Sequence, residues 1–341
     1  MTNRIFWEQD GNYERLRIPG MTVTHKGTIL AYFEARREDS DWSDMDILLY
    51  RSTDCGESFS PPIRLAAGTP EHPTVNNPVM VEDKDGVLHF IFIEDYTIHG
   101  GGIYHRISKD DGITWSERTE ITAFANPDFH NAFALGPGHG ICTADGTLLF
   151  TCWMVPKSYK SDEKSHTPSV LSTFYSSDNG KTWLLGEILP EVYGLFSPNE
   201  AQVAQLSDGT VYLNCRICGF EYRGRAYSKT GFSGWREYEA DTSLPDPHCF
   251  ASTITYTLPG GREILLFSNC ASKSARNNVT LSGSFDGGKT WEIIKAIDKS
   301  NGGYVEMNTD GKNIYILYEH NGGEKMSFVR LTEGDILLNG E

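Results

Sequence analysis

The sequence predicts an all-β protein, because a turn motif recurs along it, short β-type runs lie between the copies, and helical periodicity is scarce. The motif reads S-x-D-x-G-x-[TS]-[WF]. Its four intact copies are Ser52–Phe59, Ser108–Trp115, Ser176–Trp183 and Ser284–Trp291, and a degenerate copy spans Ser228–Trp235. Successive copies begin 52 to 68 residues apart, which suits one four-stranded propeller blade. We therefore predict a six-bladed β-propeller with four-stranded antiparallel blades, occupying residues 1–341 as a single domain.

Each copy of the motif is typical of a turn between two strands. The Asp side chain accepts hydrogen bonds from backbone N–H groups, the Gly permits a positive φ, and the final aromatic residue is expected to be buried between neighbouring blades. The runs between the copies each follow a turn signal such as Asp-Gly or Gly-Gly. These runs are Val87 to Ile93, Thr147 to Thr151, Thr210 to Asn214 and Glu263 to Phe267.

The charge balance excludes several classes of partner. Asp plus Glu number 46 against 30 Lys plus Arg, a net charge of −16, so nucleic acids and anionic membranes are poor partners. An acidic substrate would need a locally positive pocket. No run of eighteen apolar residues is present, and the first residues lack the apolar core of a signal peptide, so we expect no membrane insertion. We expect a cytoplasmic protein, with a secreted mature form as the alternative; the oligomeric state stays open.

The seven cysteines are odd in number and loosely spaced, which favours reduced thiols over a disulfide framework. Cys215 and Cys218 form one C-x-x-C pair, and no second pair or matching His ligands accompany it. We therefore predict no structural metal site.

The four boxes, combined with Arg17-Ile18-Pro19, resemble the sialidase (neuraminidase) superfamily, in particular the bacterial and animal exo-α-sialidases with Asp-box propellers. The resemblance runs from about residue 15 to about residue 320. It implies an enzyme that removes terminal sialic acid from glycoconjugates with retention of configuration and without a cofactor. The substrate would be a sialylated glycan or another acidic-sugar glycoside.

Sialic acid carries a carboxylate on its anomeric carbon, and the planar fork of Arg binds a carboxylate through two hydrogen bonds. The resemblance implies that three arginines on different blades do so, namely Arg17, Arg216 and Arg276. It also implies that Arg36 shapes the site near the 4-hydroxyl of the sugar. The neighbouring Arg37 should point to the opposite side of the strand.

The resemblance assigns the general acid/base to Asp41, which would protonate the leaving oxygen and then activate water. Asp39, Asp44 and Asp46 crowd the same segment and compete for this role. The ten-residue distance from Asp41 to Arg51, just before the first box, favours Asp41.

A carboxylate nucleophile would be repelled by the substrate carboxylate, and the family instead uses a tyrosine activated by a glutamate. The resemblance gives Tyr304 as this nucleophile and Glu200 as its base. It gives Glu319 as the residue that orients Arg17, and it places Asn77 at the rim near the 4-hydroxyl. The segment Gly136–Gly140 resembles a family loop, but we assign it no chemical step.

Two alternatives remain open from the sequence. The run Tyr304-Val-Glu-Met departs from the Tyr-Ser-x-Leu pattern of the family, which motivates a related hydrolase for a deaminated nonulosonic acid or another acidic sugar. A non-catalytic carbohydrate-binding propeller would need only the boxes, and the arginines with the Tyr/Glu pair fit it poorly. An unrelated secreted propeller such as an adhesin is disfavoured by the lack of a visible targeting segment.

Overall fold

The protein consists of six sheets arranged around an axis, which confirms the predicted six-bladed β-propeller. A computed structural model describes residues 1–9, 11–95, 102–126, 128–159 and 166–336. From the axis outward, blade 1 comprises Arg15–Val23, Ile29–Arg36, Met45–Ser52 and Ile63–Ala67. Blade 2 comprises Val75–Glu82, Leu88–Glu94, Gly102–Ser108 and Thr119–Glu120. Blade 3 has an inner strand in two pieces and comprises His130–Leu135 with Ile141–Cys142, then Leu148–Pro156, Val170–Ser176 and Leu184–Leu185.

The other three blades follow the same antiparallel order. Blade 4 comprises Pro198–Gln205, Val211–Ile217, Tyr222–Ser228 and Arg236–Pro245. Blade 5 comprises Ser252–Thr257, Glu263–Cys270, Asn277–Ser284 and Glu292–Asn301. Blade 6 comprises Val305–Thr309, Ile314–His320, Lys325–Leu331 and, as its outer strand, Thr2–Glu8 from the start of the chain. This last pairing joins the two ends of the chain and closes the ring.

Helical structure is confined to short turns in the part of the chain that the structure describes. A four-residue α-helix spans Glu333–Ile336, and 3₁₀ turns span Thr122–Ala125 and Asn321–Gly323. Among these described residues, no helix has the length and apolar character needed to cross a membrane.

The boxes form the predicted turns after the third strand of blades 1, 2, 3 and 5. In the first copy, Ser58 N donates to Asp54 Oδ1 at 2.9 Å, and Gly56 N donates to Ser52 Oγ at 2.9 Å. Gly56 has a φ of +80°, which a Cβ-bearing residue rarely adopts. The other three copies repeat these bonds, so the motif is a structural turn.

The aromatic residue of a box packs against the preceding blade. Trp183 of blade 3 is fully buried, with its ring centroid 6.2 Å from that of His89 in blade 2. Trp291 of blade 5 lies 6.2 Å from Tyr212 of blade 4. The boxes therefore stabilise the contacts between blades as well as the turns.

A buried histidine pair lies at the contact between blades 2 and 3. His89 and His105 stack at 5.2 Å and share a 3.1 Å hydrogen bond, and Trp183 covers His105. Burial, and then the repulsion from His89, lowers the pKa of His105 from 6.5 to about 3. Because the native state resists a proton that the unfolded chain accepts, the stability from this site is complete above pH 6.5 and declines as the pH falls towards 3.

We predict that, because of this site, the free energy of unfolding falls by about 2 kcal/mol when the pH is lowered from 7 to 5. Urea unfolding of the wild type and of His105→Asn at both pH values measures it. The variant should be less stable at pH 7, and its stability should decline less on acidification. His25→Asn, which replaces an exposed histidine, is the control and should follow the wild type. An equal pH dependence in all three proteins would contradict the prediction.

The inner strands all begin at one end of the axis, because each blade is a meander that leads into the next. Arg17, Asn77 and Glu200 are each the third residue of an inner strand, and Tyr304 directly precedes one. The strand pairing is irregular directly after Arg17, and Asn77 and Glu200 lie within such irregular stretches. Such bulges re-aim side chains, so the inner strands present these four at the same end of the propeller.

Candidate active site

The three predicted arginines converge on Tyr304 at the axis. The guanidinium carbon of Arg17 lies 5.3 Å from the centroid of the Tyr304 ring, and that of Arg276 lies 5.2 Å from it. Arg216 Nη1 donates to the Tyr304 hydroxyl at 3.2 Å. Residues drawn from blades 1, 4, 5 and 6 therefore form one cluster.

Tyr304 is held against Glu200 by a short hydrogen bond from its hydroxyl to Oε1. The other carboxylate oxygen of Glu200 accepts from Arg216 Nη1 at 2.7 Å. Burial and then the charge of Glu200 raise the pKa of Tyr304 well above 10, although the three arginines act in the opposite direction. The phenol is therefore protonated at neutral pH, and Glu200 is positioned to take its proton.

Glu319 ties Arg17 to Tyr304. Its Oε1 accepts from Arg17 Nε at 2.9 Å and from the backbone N–H of Ile18 at 3.0 Å, and its Oε2 accepts from the backbone N–H of Tyr304 at 3.1 Å. Because Glu319 is fully buried, these bonds fix the direction of the Arg17 fork relative to the Tyr304 backbone. Contacts of this kind let one carboxylate orient two groups of the site.

The cluster keeps donors that bind no other part of the described chain. Arg17 uses only Nε, which leaves both Nη atoms, and Arg276 uses only Nη2, which donates to the His248 carbonyl at 3.2 Å. Guanidinium N–H groups that converge in this way suit a planar anion such as a carboxylate. The site therefore provides the local positive charge that the acidic chain needs for an acidic ligand.

A second cluster lies beside the first, on blade 1. Arg36 is buried and binds Glu34 through Nε at 2.9 Å, and its Nη1 donates to Asp41 Oδ1. Glu34 also accepts from the backbone N–H of Asn77 at 2.7 Å, which links blade 1 to blade 2. Arg37 points to the other side of the strand, as predicted, where it pairs with Asp46 at 2.9 Å.

The four competing aspartates have different partners. Asp39 pairs with Arg15, Asp44 pairs with Arg37, and Asp46 is buried against Tyr13 and Arg37. Among these four, Asp41 is the one that contacts Arg36, and its side chain is 42% exposed. Asp41 is therefore the carboxylate of this segment that lies beside the arginine cluster and is open to a ligand.

Burial raises the pKa of Asp41, but Arg36, and then Arg17 and His166, lower it by more, so the net pKa lies below 3.8. Asp41 is therefore ionised at neutral pH in the free protein. A bound anion that neutralises the arginines would move this pKa upward.

Asn77 is buried at the wall of the site. Its Nδ2 donates to the Leu135 carbonyl at 2.8 Å, and its backbone adopts a φ of +46°. The amide nitrogen therefore binds the backbone of blade 3. Contact of Asn77 with a sugar hydroxyl stays a prediction.

The sequence reasoning passed over Glu34 and His166. Glu34 lies two residues before Arg36 on one strand, so the spacing alone puts both side chains on one face and could have suggested the pair. The His166 ring lies 6.1 Å from Trp42, the neighbour of Asp41, and its carbonyl accepts from Asn199, the neighbour of Glu200. No local signal indicates the placement of His166, since it depends on contacts between blades.

Comparison with known proteins shows that the chain is similar to sialidases from several organisms. Residues 69–324 match the family described as a BNR repeat-like domain. The chain is 30% identical over 345 residues to a sialidase of Bacteroides fragilis, a match that covers 91% of this chain and 61% of that protein. It is also 30% identical over 349 residues to a sialidase of Micromonospora viridifaciens, with 92% of this chain and 52% of that protein covered. The chain thus spans between half and two thirds of the length of these relatives.

Among solved structures, the chain is similar to the Hadza microbial sialidase Hz136. The two share 26% identity with a TM-score of 0.84, over 95% of this chain and 67% of the other. The similarity therefore extends over nearly all of the propeller described above.

Proposed function

The chain belongs to the BNR repeat-like family within the sialidase superfamily, and we propose that it is an exo-α-sialidase that hydrolyses terminal sialic acid from glycoconjugates with retention. One observation carries the proposal: three guanidinium groups surround a tyrosine whose hydroxyl is bonded to a buried glutamate. A propeller that only bound sugars would have no use for the Tyr304–Glu200 pair.

In this proposal, Arg17, Arg216 and Arg276 bind the substrate carboxylate. This places the anomeric carbon over the Tyr304 hydroxyl, because the guanidinium groups surround the ring. Arg36 and Asn77 bound the site beside the 4-hydroxyl, and Glu319 keeps Arg17 aimed at the anion.

The chemistry then takes two steps. Tyr304 Oη attacks the anomeric carbon as Glu200 takes its proton, and the glycosidic bond breaks as Asp41 donates a proton to the leaving oxygen. In the second step Asp41 removes a proton from water, the water oxygen attacks the anomeric carbon, and the tyrosine oxygen leaves with the proton from Glu200. Two inversions give net retention.

The bound carboxylate favours this sequence electrostatically. It compensates the charge of Arg17, which together with Arg36 holds the Asp41 pKa down, and adds a negative charge nearby, so Asp41 becomes a better proton donor when substrate is present. Asp41 also lies beside Arg36 and at the opening of the site, where a leaving group can depart to solvent.

The direct test is incubation with the 4-methylumbelliferyl glycoside of N-acetylneuraminic acid, with the deaminated analogue as a parallel substrate. NMR of the first product should show the α-anomer of the free sugar. Faster hydrolysis of the deaminated substrate would reassign the sugar and keep the mechanism. Binding of the sugar acid without turnover of either substrate would overturn the proposal.

We predict that Asp41→Asn lowers kcat/KM on sialyllactose by about 10² to 10⁴-fold, because the sugar leaving group requires a proton. On the 4-methylumbelliferyl substrate the loss should be at least tenfold smaller, since a phenolate departs with little protonation. Initial rates on the two substrates measure the difference.

Asp44→Asn provides the matched control, because Asp44 lies in the same segment and pairs with Arg37 instead. It should leave both kcat/KM values near those of the wild type. Equal losses on both substrates in Asp41→Asn would show that Asp41 does not protonate the leaving group.

A further inference from the structure

The inner strand of blade 3 is interrupted at the propeller axis. Its two pieces, His130–Leu135 and Ile141–Cys142, both pair with Leu148–Pro156, and residues 136–140 leave the blade between them. Gly138 and His139 instead pair in parallel with Val79 and Met80 on the inner edge of blade 2. We refer to Gly136–Gly140 as the axial segment.

The axial segment receives hydrogen bonds from other blades. The Gly138 carbonyl accepts from the Tyr32 hydroxyl of blade 1 at 2.9 Å. The Pro137 carbonyl accepts from Gln202 Nε2 of blade 4 at 2.7 Å. Both donors are buried, so the contacts are shielded from water and fix the segment against the inner strands.

A buried ionisable pair connects the segment to blade 6. His139 Nδ1 and Glu306 Oε1 share a short hydrogen bond, and the side chains are 5% and 0% exposed. Burial raises the pKa of Glu306, although His139 acts in the opposite direction. His139 is the main polar partner of the Glu306 carboxylate, ahead of the Ser252 side chain and the Met307 backbone.

The packing around Gly138 is too close for any side chain. A Cβ at this position would overlap Gln202 Nε2 and Glu306 Oε2 and would lie 2.8 Å from the Phe250 ring. The φ of Gly138 is +93°, which also requires glycine. The segment, Gln202 and Glu306 are therefore in direct contact, and movement of one is transmitted to the others.

This layer lies directly beneath the candidate catalytic residues. Glu306 follows Tyr304 by two positions, and Gln202 follows Glu200 by two, along extended chain. Alternate residues of a regular strand face the same side, so Glu306 shares the axial face with Tyr304. Gln202 follows the irregular pairing at Glu200, and its bond to the axial segment places it at the axis as well. Phe250 completes the contact, with its ring centroid 5.7 Å from that of Tyr304.

We propose that the axial segment is the floor of the active site and that His139, acting through Glu306, is a positioning residue for Tyr304. The inference rests on the proposed hydrolase function. The His139–Glu306 bond fixes the inner strand of blade 6 in depth along the axis, and the Pro137–Gln202 bond does the same for blade 4. Together they set the distance at which the Tyr304 hydroxyl and Glu200 meet.

The test is His139→Ala with kcat and KM measured on the 4-methylumbelliferyl sialoside. A small displacement of the nucleophile costs turnover more than binding, so kcat should fall on the order of tenfold to a hundredfold while KM changes by less than about threefold. His139→Asn should restore most of kcat, since its amide offers a donor or an acceptor near the position of Nδ1.

His105→Asn is the matched control, because it alters a buried histidine far from the axis; at a temperature where it is folded, its kcat should equal that of the wild type. If His139→Ala does not fold, Gln202→Leu tests the same floor from blade 4 and should lower kcat in the same way. Wild-type kcat in a folded His139→Ala or Gln202→Leu protein would overturn the inference, as would equal losses in His139→Ala and His139→Asn. Every variant is compared with the wild type. A wild type that does not hydrolyse the sialoside would contradict the proposed function, and this outcome differs from those that contradict the inference about His139.

Discussion

Replacement of Tyr304 by Phe is expected to lower kcat for sialoside hydrolysis by about 10³-fold or more while the protein folds normally. The substitution removes the attacking oxygen and the hydrogen bonds to Glu200 and Arg216, and it keeps the ring. The ring retains its contacts with Arg17, Arg276 and Phe250, so the site keeps its shape. Steady-state hydrolysis of the fluorogenic sialoside gives kcat, and thermal unfolding reports the fold.

Tyr256→Phe is the matched control, because Tyr256 is also buried and its hydroxyl donates to the Lys312 carbonyl far from the cluster. It should keep the wild-type kcat. Tyr304→Phe should still bind an unsaturated sialic acid analogue, since the three arginines remain. Unchanged turnover in Tyr304→Phe would remove Tyr304 from the mechanism.

The fold was predictable from the sequence because the repeated information is local. A box encodes its own turn through Asp54, Gly56 and their counterparts, and the spacing of the boxes gives the blade length. Ring closure was not predictable, since Thr2–Glu8 carries no box and pairs with Lys325–Leu331 more than 300 residues away. Pairing between distant strands leaves no local pattern in either strand.

The site was predictable in part. The resemblance named Arg17, Arg216 and Arg276, and the structure brings them together around Tyr304. The axial segment was visible as a glycine-rich motif, but its contacts are with residues such as Glu306, 167 positions after His139. The role of a residue that acts through contacts across the axis cannot be predicted from its neighbours in the sequence, because its partners lie on other blades.

The arginines of the site differ in whether they have a carboxylate partner among the described residues. Arg17 pairs with Glu319, Arg36 with Glu34 and Asp41, and Arg216 with Glu200. Among the described residues Arg276 has no carboxylate partner, and its Nη2 donates to the neutral His248 carbonyl. Arg276 is half-buried and has no ion pair within the described part of the chain, so it is the arginine of the cluster with most to gain from an incoming carboxylate.

We therefore expect Arg276→Lys to raise KM for the sialoside by about 10- to 100-fold, which corresponds to about 1.4 to 2.7 kcal/mol of binding free energy. The ammonium keeps the charge, but it cannot form two parallel hydrogen bonds with one carboxylate, and its hydration resists transfer into the site. Turnover at saturation should fall less than kcat/KM, because Tyr304, Glu200 and Asp41 are unchanged.

Arg225→Lys makes the same substitution on blade 4 away from the axis, where Arg225 pairs with Glu239 and Asp241, and it should leave KM unchanged. An unchanged KM in Arg276→Lys would show that the carboxylate does not depend on the Arg276 fork. A KM that rises equally for the methyl ester of the sialoside would point to a general distortion of the site. A KM that rises only for the free acid is the result expected if the Arg276 fork binds the carboxylate.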